Sequence, residues 1–78
     1  MSNNDLRIFG NRIRLTRQEM GISQEELAAL TGLHRTYIGG IERGERNIGL
    51  INVLVIAGAL QIPVSKLFRD FDEKDGTT

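Results

Sequence analysis

The chain has 78 residues, no cysteine, and ten basic against ten acidic side chains, which gives a formal net charge of zero. This length allows one domain with a small core, and the lack of cysteine excludes disulfides and thiolate chemistry. The longest apolar stretch, 50–60, is interrupted by Asn52 and Gly58 and is too short to cross a bilayer. The polar N-terminus lacks a secretory pattern. We therefore expect a single cytoplasmic domain over residues 1–78.

The charges are unevenly distributed along the chain. Residues 1–48 contain seven arginines against six acidic residues, whereas four acidic residues follow Phe68. Nucleic-acid binding requires a local cationic surface rather than a cationic total, and the planar guanidinium of arginine suits phosphate and guanine. On composition alone, nucleic-acid binding and simple solvation of the surface remain equally open.

The segment from Leu6 to Met20 predicts a first helix. It contains no proline, and the side chains expected on its buried face recur at helical spacing: Phe9, Ile13, Thr16 and Met20. Gly21 follows, and glycine commonly ends a helix in the left-handed conformation. The first helix should therefore end there.

A helix-turn-helix is predicted over residues 23–44. Ser23 and Glu26 have the spacing of a capping box, so a second helix should begin there. A third helix, about Arg35 to Arg43, follows a short turn that contains Gly32, and such a turn between two short helices is typical of this motif. The residues expected to be buried are Leu27, Ala28 and Leu30 in the second helix, and Ile38 and Ile41 in the third, which should end at Gly44.

The C-terminal part predicts two further helices and a tail. The fourth helix should span Leu50 to Leu60 and bury five side chains: Leu50, Val53, Leu54, Ala57 and Leu60. Pro63 suits the first turn of a short fifth helix, Pro63 to Arg69, which would contribute Val64, Leu67 and Phe68. Residues 70–78 are expected to form a flexible tail. The predicted fold is all-α, a compact five-helix bundle.

Several of these residues together resemble a known family. They are Arg17, Gly21, Ser23-Gln24-Glu25-Glu26-Leu27-Ala28, Gly32-Leu33 and Ile41-Glu42-Arg43-Gly44. Over about residues 6–69 the chain is similar to the Cro/C1-type (XRE) family, which implies a lambda-repressor-like fold. Within that family, residues 32–38 and 40–48 resemble controller proteins of restriction–modification systems. That resemblance implies a homodimeric transcription regulator that activates or represses from a palindromic DNA operator.

The first residues of the third helix are the predicted base contacts, because in this plan they lie at the base edges of the major groove. Arg35 can bind guanine through two hydrogen bonds, and Thr36 offers a hydroxyl and a methyl group. Tyr37 is also a candidate, with packing inside the protein as an alternative of nearly equal weight. The alternative for Arg35 is an ordinary exposed charge.

Four residues are predicted to contact the DNA backbone. Gln24 begins the second helix, whose free N–H groups favour phosphate, and the family resemblance implies that contact. Arg43, Arg46 and Asn47 follow the third helix, where backbone contacts would position the protein without reading sequence. For Gln24 the alternative is an exposed helix former, and for Arg43 it is simple solvation.

The resemblance also implies a structural ion pair between Arg17 and Glu42, buried at least in part. Gly39 and Gly40 are unusual inside a helix, since glycine is unfavourable there. Gly39 departs from the family, which commonly has a larger residue at that position. Either a small residue lets DNA or the second helix approach closely, or the helix is locally loose.

The fourth helix is too apolar for one buried face, because Ile51 and Val55 form a second apolar stripe. We predict that these residues and Ile62 form a dimer interface. A twofold dimer would place two recognition helices about 34 Å apart on DNA. The alternative is that Ile51 and Val55 complete the core.

Glu25 and Glu26 resemble the acidic patch through which such regulators can contact RNA polymerase, although complementation of the helix dipole and the capping box explain them at least as well. An antitoxin or phage-type repressor is the main alternative among DNA-binding proteins. An alternative from another class is a protein-interaction module without specific DNA binding. We find no paired acid and base, nucleophile or metal cluster, so we expect neither enzymatic activity nor a cofactor. The expected partners are double-stranded DNA, a second copy of the chain and RNA polymerase.

Overall fold

The computed structural model describes residues 3–71, which form four α-helices and one 3₁₀ helix and no strand. The all-α, five-helix architecture predicted from the sequence is confirmed. The helices are α1 (Asn3–Glu19), α2 (Gln24–Thr31), α3 (Arg35–Glu42), α4 (Leu50–Ala59) and the 3₁₀ helix Val64–Phe68.

Each of these five elements contributes to one core. α1 packs against α3 and the 3₁₀ helix, α2 packs against α3 and α4, and α4 also contacts the 3₁₀ helix. The fully buried centre is aliphatic, which suits close packing without unpaired polar atoms. Among residues 3–71, the buried apolar side chains are Phe9, Ile13, Leu27, Ile38, Ile41, Val53, Ile56, Ala57, Leu60 and Leu67.

α1 and α3 come closest together at Gly10. Gly10 is buried, and a Cβ there would overlap the backbone carbonyl groups of Ile41 and Glu42. A larger residue would force the two helices apart, because backbone cannot yield as a flexible side chain can. Arg17 lies two turns further along the same face of α1, so this close approach also brings the end of α3 within its reach.

The start of α2 is fixed locally, as the sequence predicted. The Glu26 N–H donates to Ser23 Oγ at 3.0 Å, and the Ser23 N–H donates to the Glu26 carboxylate at 2.8 Å. At the other end, Gly32 adopts the left-handed conformation with φ of 76° and its N–H donates to the Ala28 carbonyl. These two caps set the length of α2 and the sharp turn into α3.

Two of the predicted core residues in the N-terminal half, Met20 and Leu30, are exposed instead. The inner face of α2 runs through Leu27 to Thr31, one turn later, and this leaves Leu30 on the outside. The Thr31 hydroxyl donates to the Leu27 carbonyl at 2.9 Å. Met20 lies beyond the end of α1 and so is no longer on its buried face.

α4 is rotated relative to the prediction. Leu50 and Leu54 were expected in the core but are exposed, whereas Ile56, absent from the predicted core, is completely buried. The observed inner face is Val53, Ile56, Ala57 and Leu60, a regular helical stripe. No single helix within residues 3–71 is long and apolar enough to span a membrane. α4 and segment 64–71 meet that test only as a pair bent by 111°.

The folded part extends beyond the predicted start of the tail. Arg12 Nε and Nη2 donate to the two carboxylate oxygens of Asp70 at 3.0 and 2.9 Å. The ring of Phe71 lies 6.3 Å from that of Phe68. Residues 70 and 71 therefore belong to the folded part, and residues 72–78, the rest of the predicted tail, lie outside the described residues. The predicted fifth helix is a 3₁₀ helix that begins one residue after Pro63.

Candidate nucleic-acid interface

The first turn of α3 presents two exposed side chains, Arg35 and Thr36. The turn at Gly32 ends α2 immediately before it, and α3 is held from behind by the buried Ile38 and Ile41. The two candidate base-contacting residues therefore lie on the outer side of a helix whose inner side is anchored in the core. This geometry leaves the first turn of α3 accessible to a large partner.

Tyr37, the third candidate base contact, is half-buried and packs against the core. Its hydroxyl accepts a hydrogen bond from Asn52 Nδ2 on α4 at 3.2 Å. The structure therefore places Tyr37 between α3 and α4 and gives its polar end a partner within the protein. Asn52 is the only polar residue of α4, and that isolation was the signal in the sequence for a specific contact.

Arg17 and Glu42 form the expected ion pair between α1 and the end of α3. Arg17 Nε donates to Glu42 Oε2 at 2.7 Å and Nη2 donates to Oε1 at 3.0 Å, and the two side chains are only 10% and 2% exposed. Arg17 Nη1 also donates to the Ile22 carbonyl at 2.9 Å. The hydrogen bonds to Glu42 raise the pKa of Arg17 above its ordinary value. The guanidinium is thus charged, and each of its three nitrogens donates a hydrogen bond.

Gln24 links this ion pair to the exposed end of α3. Its Nε2 donates to Glu42 Oε1 at 2.9 Å, and its Oε1 accepts a longer hydrogen bond of 3.4 Å from Arg35 Nη1. An amide nitrogen carries two hydrogens, so one contact to Glu42 leaves the second N–H for another acceptor. Gln24 therefore joins Glu42 to Arg35 and keeps one amide N–H beyond its bond to Glu42. No pattern in the sequence indicated its contact with Glu42.

The predicted backbone-contacting residues beyond α3 are exposed. Arg43 pairs with Glu45 at 3.1 Å, with both side chains well solvated, and this contact raises the pKa of Arg43 and lowers that of Glu45. Arg46 and Asn47 are exposed on the following loop. All three residues therefore lie shortly after α3 in the chain and are open to solvent. The partner Glu45 was not singled out in advance.

Gly39 and Gly40 lie within the regular helix α3. Both glycines are buried by neighbouring side chains. A Cβ at Gly39 would lie 3.0 Å from Arg43 Nη1 and 3.6 Å from Gln24 Oε1. A Cβ at Gly40 would lie 2.9 Å from Arg46 Cγ. The missing side chains are therefore replaced by those of Arg43, Gln24 and Arg46.

α4 presents an exposed apolar patch, which we call the α4 patch: Leu50, Ile51, Leu54 and Val55, between 38% and 76% exposed. The interpretation that Ile51 and Val55 complete the core is therefore wrong. Ile62, the third predicted interface residue, is half-buried and packs against the core. A concentration of exposed aliphatic side chains of this kind is typical of an interaction surface.

Glu25 and Glu26 are both exposed at the start of α2. The Glu26 carboxylate accepts the hydrogen bond from the Ser23 N–H, so one of the two acids has a structural role in the cap. Glu25 follows Gln24 without a place in that cap. If the two acids differ in function, Glu25 is the better candidate for a contact with another protein.

The chain matches the family described as helix-turn-helix over residues 13–67. Control protein C.MunI from Mycoplasma sp is 42% identical over 73 residues, which cover 91% of this chain and 99% of that protein. Restriction-modification controller protein C.AhdI from Aeromonas hydrophila has a similar crystal structure, with a TM-score of 0.82 and 52% identity over 83% of this chain and 98% of that one.

A third similar protein has been solved with DNA. The controller protein C.Esp1396I, as a tetramer in complex with its natural 35 base-pair operator, superposes with a TM-score of 0.78. The two sequences are 34% identical, and the match covers 87% of this chain and 90% of that one. The similarity therefore includes the α2–α3 unit and the helices that follow it.

Proposed function

Because the chain belongs to the helix-turn-helix family, we propose that it is a transcription regulator that binds a specific DNA operator as a homodimer, as a restriction–modification controller protein. Relatives named as controller proteins match over most of their length, and this favours a controller over an antitoxin or phage-type repressor. The observation that carries the proposal is the exposed first turn of α3, with Arg35 and Thr36 on an anchored helix.

In this proposal, Arg35 and Thr36 read base edges in the major groove. Tyr37 packs between α3 and α4, and its hydroxyl, which accepts a hydrogen bond from Asn52, keeps its own O–H as a donor to DNA. Gln24, Arg43, Arg46 and Asn47 contact the DNA backbone on either side and fix the position of α3. The second N–H of Gln24 Nε2 supports this role, since it allows a phosphate contact without loss of the bond to Glu42.

The homodimer is proposed to form through the α4 patch. A second copy supplies the same apolar surface in a twofold arrangement, and pairing stabilises a domain of this small size. Two copies would present two α3 helices to successive turns of DNA, which requires a palindromic operator. A regulator of transcription of this kind acts in the cytoplasm.

RNA polymerase is proposed as a further partner, contacted by Glu25 and, secondarily, Glu26. The support is the position of Glu25 at the exposed start of α2, outside the capping box. Replacement of Glu25 by glutamine should abolish activation in a transcription assay and leave operator binding unchanged. Equal loss of both activities would contradict this contact.

The proposed function is tested by selection of bound sequences from random duplex DNA, with the wild-type protein and with Arg35→Ala. We expect the wild type to select an inverted repeat, and the variant to lose its preference at one position of each half-site. A good two-hydrogen-bond contact contributes about 1–3 kcal/mol of discrimination, so this loss is measurable. If no sequence is enriched and binding is weak and salt-sensitive, the fold serves a protein partner instead.

A further inference from the structure

The two adjacent glycines of α3 are covered by the long side chains of two arginines that follow this helix in the chain. Gly39 and Gly40 are buried, whereas Thr36, Arg43 and Arg46 around them are exposed. The Nη1 atom of Arg43 and the Cγ atom of Arg46 lie within 3.0 Å of the positions that Cβ atoms would occupy. The Arg46 side chain therefore lies along α3 at Gly40, and the end of the Arg43 side chain covers Gly39, the two positions where α3 has no side chain of its own.

The loop after α3 is bonded back onto the same turn. The Glu45 N–H donates to the Gly40 carbonyl at 2.8 Å, and the Gly44 N–H donates to the Ile41 carbonyl at 3.0 Å. These bonds direct the chain so that Arg46, which comes next, crosses α3 at Gly40. The backbone path of the loop and the absence of a side chain at Gly40 thus together determine where Arg46 lies.

We propose that Gly39 and Gly40 are positioning residues. Because they have no side chains, Arg43 and Arg46 can lie against α3, an arrangement that we call the seat and that holds both arginines in place for contact with the DNA backbone. A long arginine side chain loses conformational freedom when it binds phosphate, and a seat on the protein reduces that loss on binding. A methyl group at either position would lift the arginine out of its seat. This inference rests on the proposed function, because it gives the arginines a DNA backbone to contact.

The seat predicts a loss of binding without a matching loss of stability. Alanine is the better helix former, and this gain offsets the shift that a Cβ at Gly40, 2.9 Å from Arg46 Cγ, requires of that side chain. Gly40→Ala should therefore keep the unfolding midpoint within about 4 °C of the wild-type value. The same variant should bind operator DNA about threefold more weakly or worse, because the charge-assisted contact of Arg46 is displaced.

Gly58→Ala is the matched control. Gly58 lies in α4 and is exposed, and a Cβ there would meet no atom within 4 Å among the described residues outside the backbone of its own helix. Because Gly58 follows Leu54 by one turn and so lies beside the α4 patch, the comparison is made at a protein concentration at which sedimentation equilibrium gives the same mass for this variant and the wild type. Under that condition the variant should gain helical stability and bind DNA as the wild type does. A loss of binding in Gly40→Ala but not in Gly58→Ala would exclude a general effect of a stiffer fold.

The experiment measures operator affinity over a series of salt concentrations for Gly40→Ala, Arg46→Ala, the double variant and Gly58→Ala. Each lost phosphate contact should reduce the slope of log affinity against log salt by about 0.9. We expect Arg46→Ala to show that reduction, Gly40→Ala to show part of it, and the double variant to match Arg46→Ala alone. The same measurements on Gly39→Ala, Arg43→Ala and their double variant test the other glycine and arginine in the same way.

Three outcomes would overturn the proposal. If Gly40→Ala binds with wild-type affinity and slope while Arg46→Ala does not, the seat has no role and the proposed function stands. If Gly40→Ala weakens binding equally in the Arg46→Ala background, the methyl group obstructs DNA directly. If Arg46→Ala itself changes neither affinity nor slope, the backbone contact assigned under the proposed function fails, and the seat fails with it.

Discussion

Removal of the Glu42 carboxylate is the most severe small change that this fold offers. In Glu42→Ala, Arg17 would keep its bond to the Ile22 carbonyl but lose both bonds to carboxylate oxygens. The guanidinium would remain charged and only 10% exposed. Such an unpaired buried charge costs about 3–5 kcal/mol, a large part of the total stability of about 5–15 kcal/mol typical of a domain.

The cost is measured by urea unfolding followed by circular dichroism, at one fixed protein concentration because a dimer is stabilised by mass action. We expect the free energy of unfolding to fall by about 3 kcal/mol or more, and the thermal midpoint by about 12 °C or more. Glu45→Ala is the matched control, since Glu45 also pairs with an arginine but both side chains are well solvated. Exposed pairs contribute little, so that variant should unfold as the wild type does.

The double variant Arg17→Met, Glu42→Leu separates charge from packing. If the cost arises from an unpaired charge, removal of both partners should recover much of the stability lost in Glu42→Ala, since apolar replacement of a buried pair is often neutral or stabilising. The reasoning is refuted if Glu42→Ala loses no more stability than Glu45→Ala. It is also refuted if the double variant is less stable than Glu42→Ala, because the packed side chains would then be more important than their charges.

Three further predictions concern the helix crossing, the C-terminal ion pair and the α4 patch. Gly10→Ala should lower the free energy of unfolding by about 1–3 kcal/mol in the same urea assay, because its Cβ would overlap the backbone of α3. Arg12 lowers the pKa of Asp70 below its ordinary value of 3.8. The pair therefore stabilises the fold fully above that pH, and this stabilisation is lost as the pH falls through the lowered pKa. Asp70→Asn should flatten the acid side of a plot of unfolding free energy against pH. Ile51→Asp should convert the dimer to a monomer in sedimentation equilibrium, whereas an unchanged mass would exclude the α4 patch as the interface.

The parts of the fold that were predicted correctly depend on local chemistry. The capping box of Ser23 and Glu26 and the left-handed Gly32 act within three or four residues, so sequence spacing alone specifies them. The same spacing places Arg35 and Thr36 in the first turn of α3. A helix-turn-helix can therefore be predicted from the sequence, because its turn and caps involve only neighbouring residues.

The orientation of α4 could not be obtained in that way. Asn52 aside, every residue from Leu50 to Ala59 is apolar or glycine, so several different stripes fit a helical period equally well. Contact with α2 and the 3₁₀ helix selects the stripe that contains Ile56 and leaves Leu54 outside. The patch that remains exposed is thus larger than the two residues predicted from the sequence.

Contacts between distant residues account for the remaining differences. The bond from Gln24 to Glu42 joins residues 18 positions apart, and that from Arg12 to Asp70 joins residues 58 apart. Glycine at position 10 carries no periodic signal, yet it sets the distance between α1 and α3. Each of these features follows from the packing of whole helices, which a pattern along one helix does not contain.

The buried ion pair connects the stability of the fold to the geometry of its proposed DNA-binding face. Glu42 is shared by Arg17 of α1 and Gln24 of α2, and Gln24 in turn accepts the longer bond from Arg35. A change at Glu42 should therefore weaken operator binding even in molecules that remain folded. Gln24 would lose the acceptor that orients it and would no longer hold Arg35 in position. A change at Arg43 or Arg46 acts only at the surface. Variants at Glu42 should consequently lose both stability and operator affinity. Variants at the two exposed arginines should lose operator affinity and keep their stability.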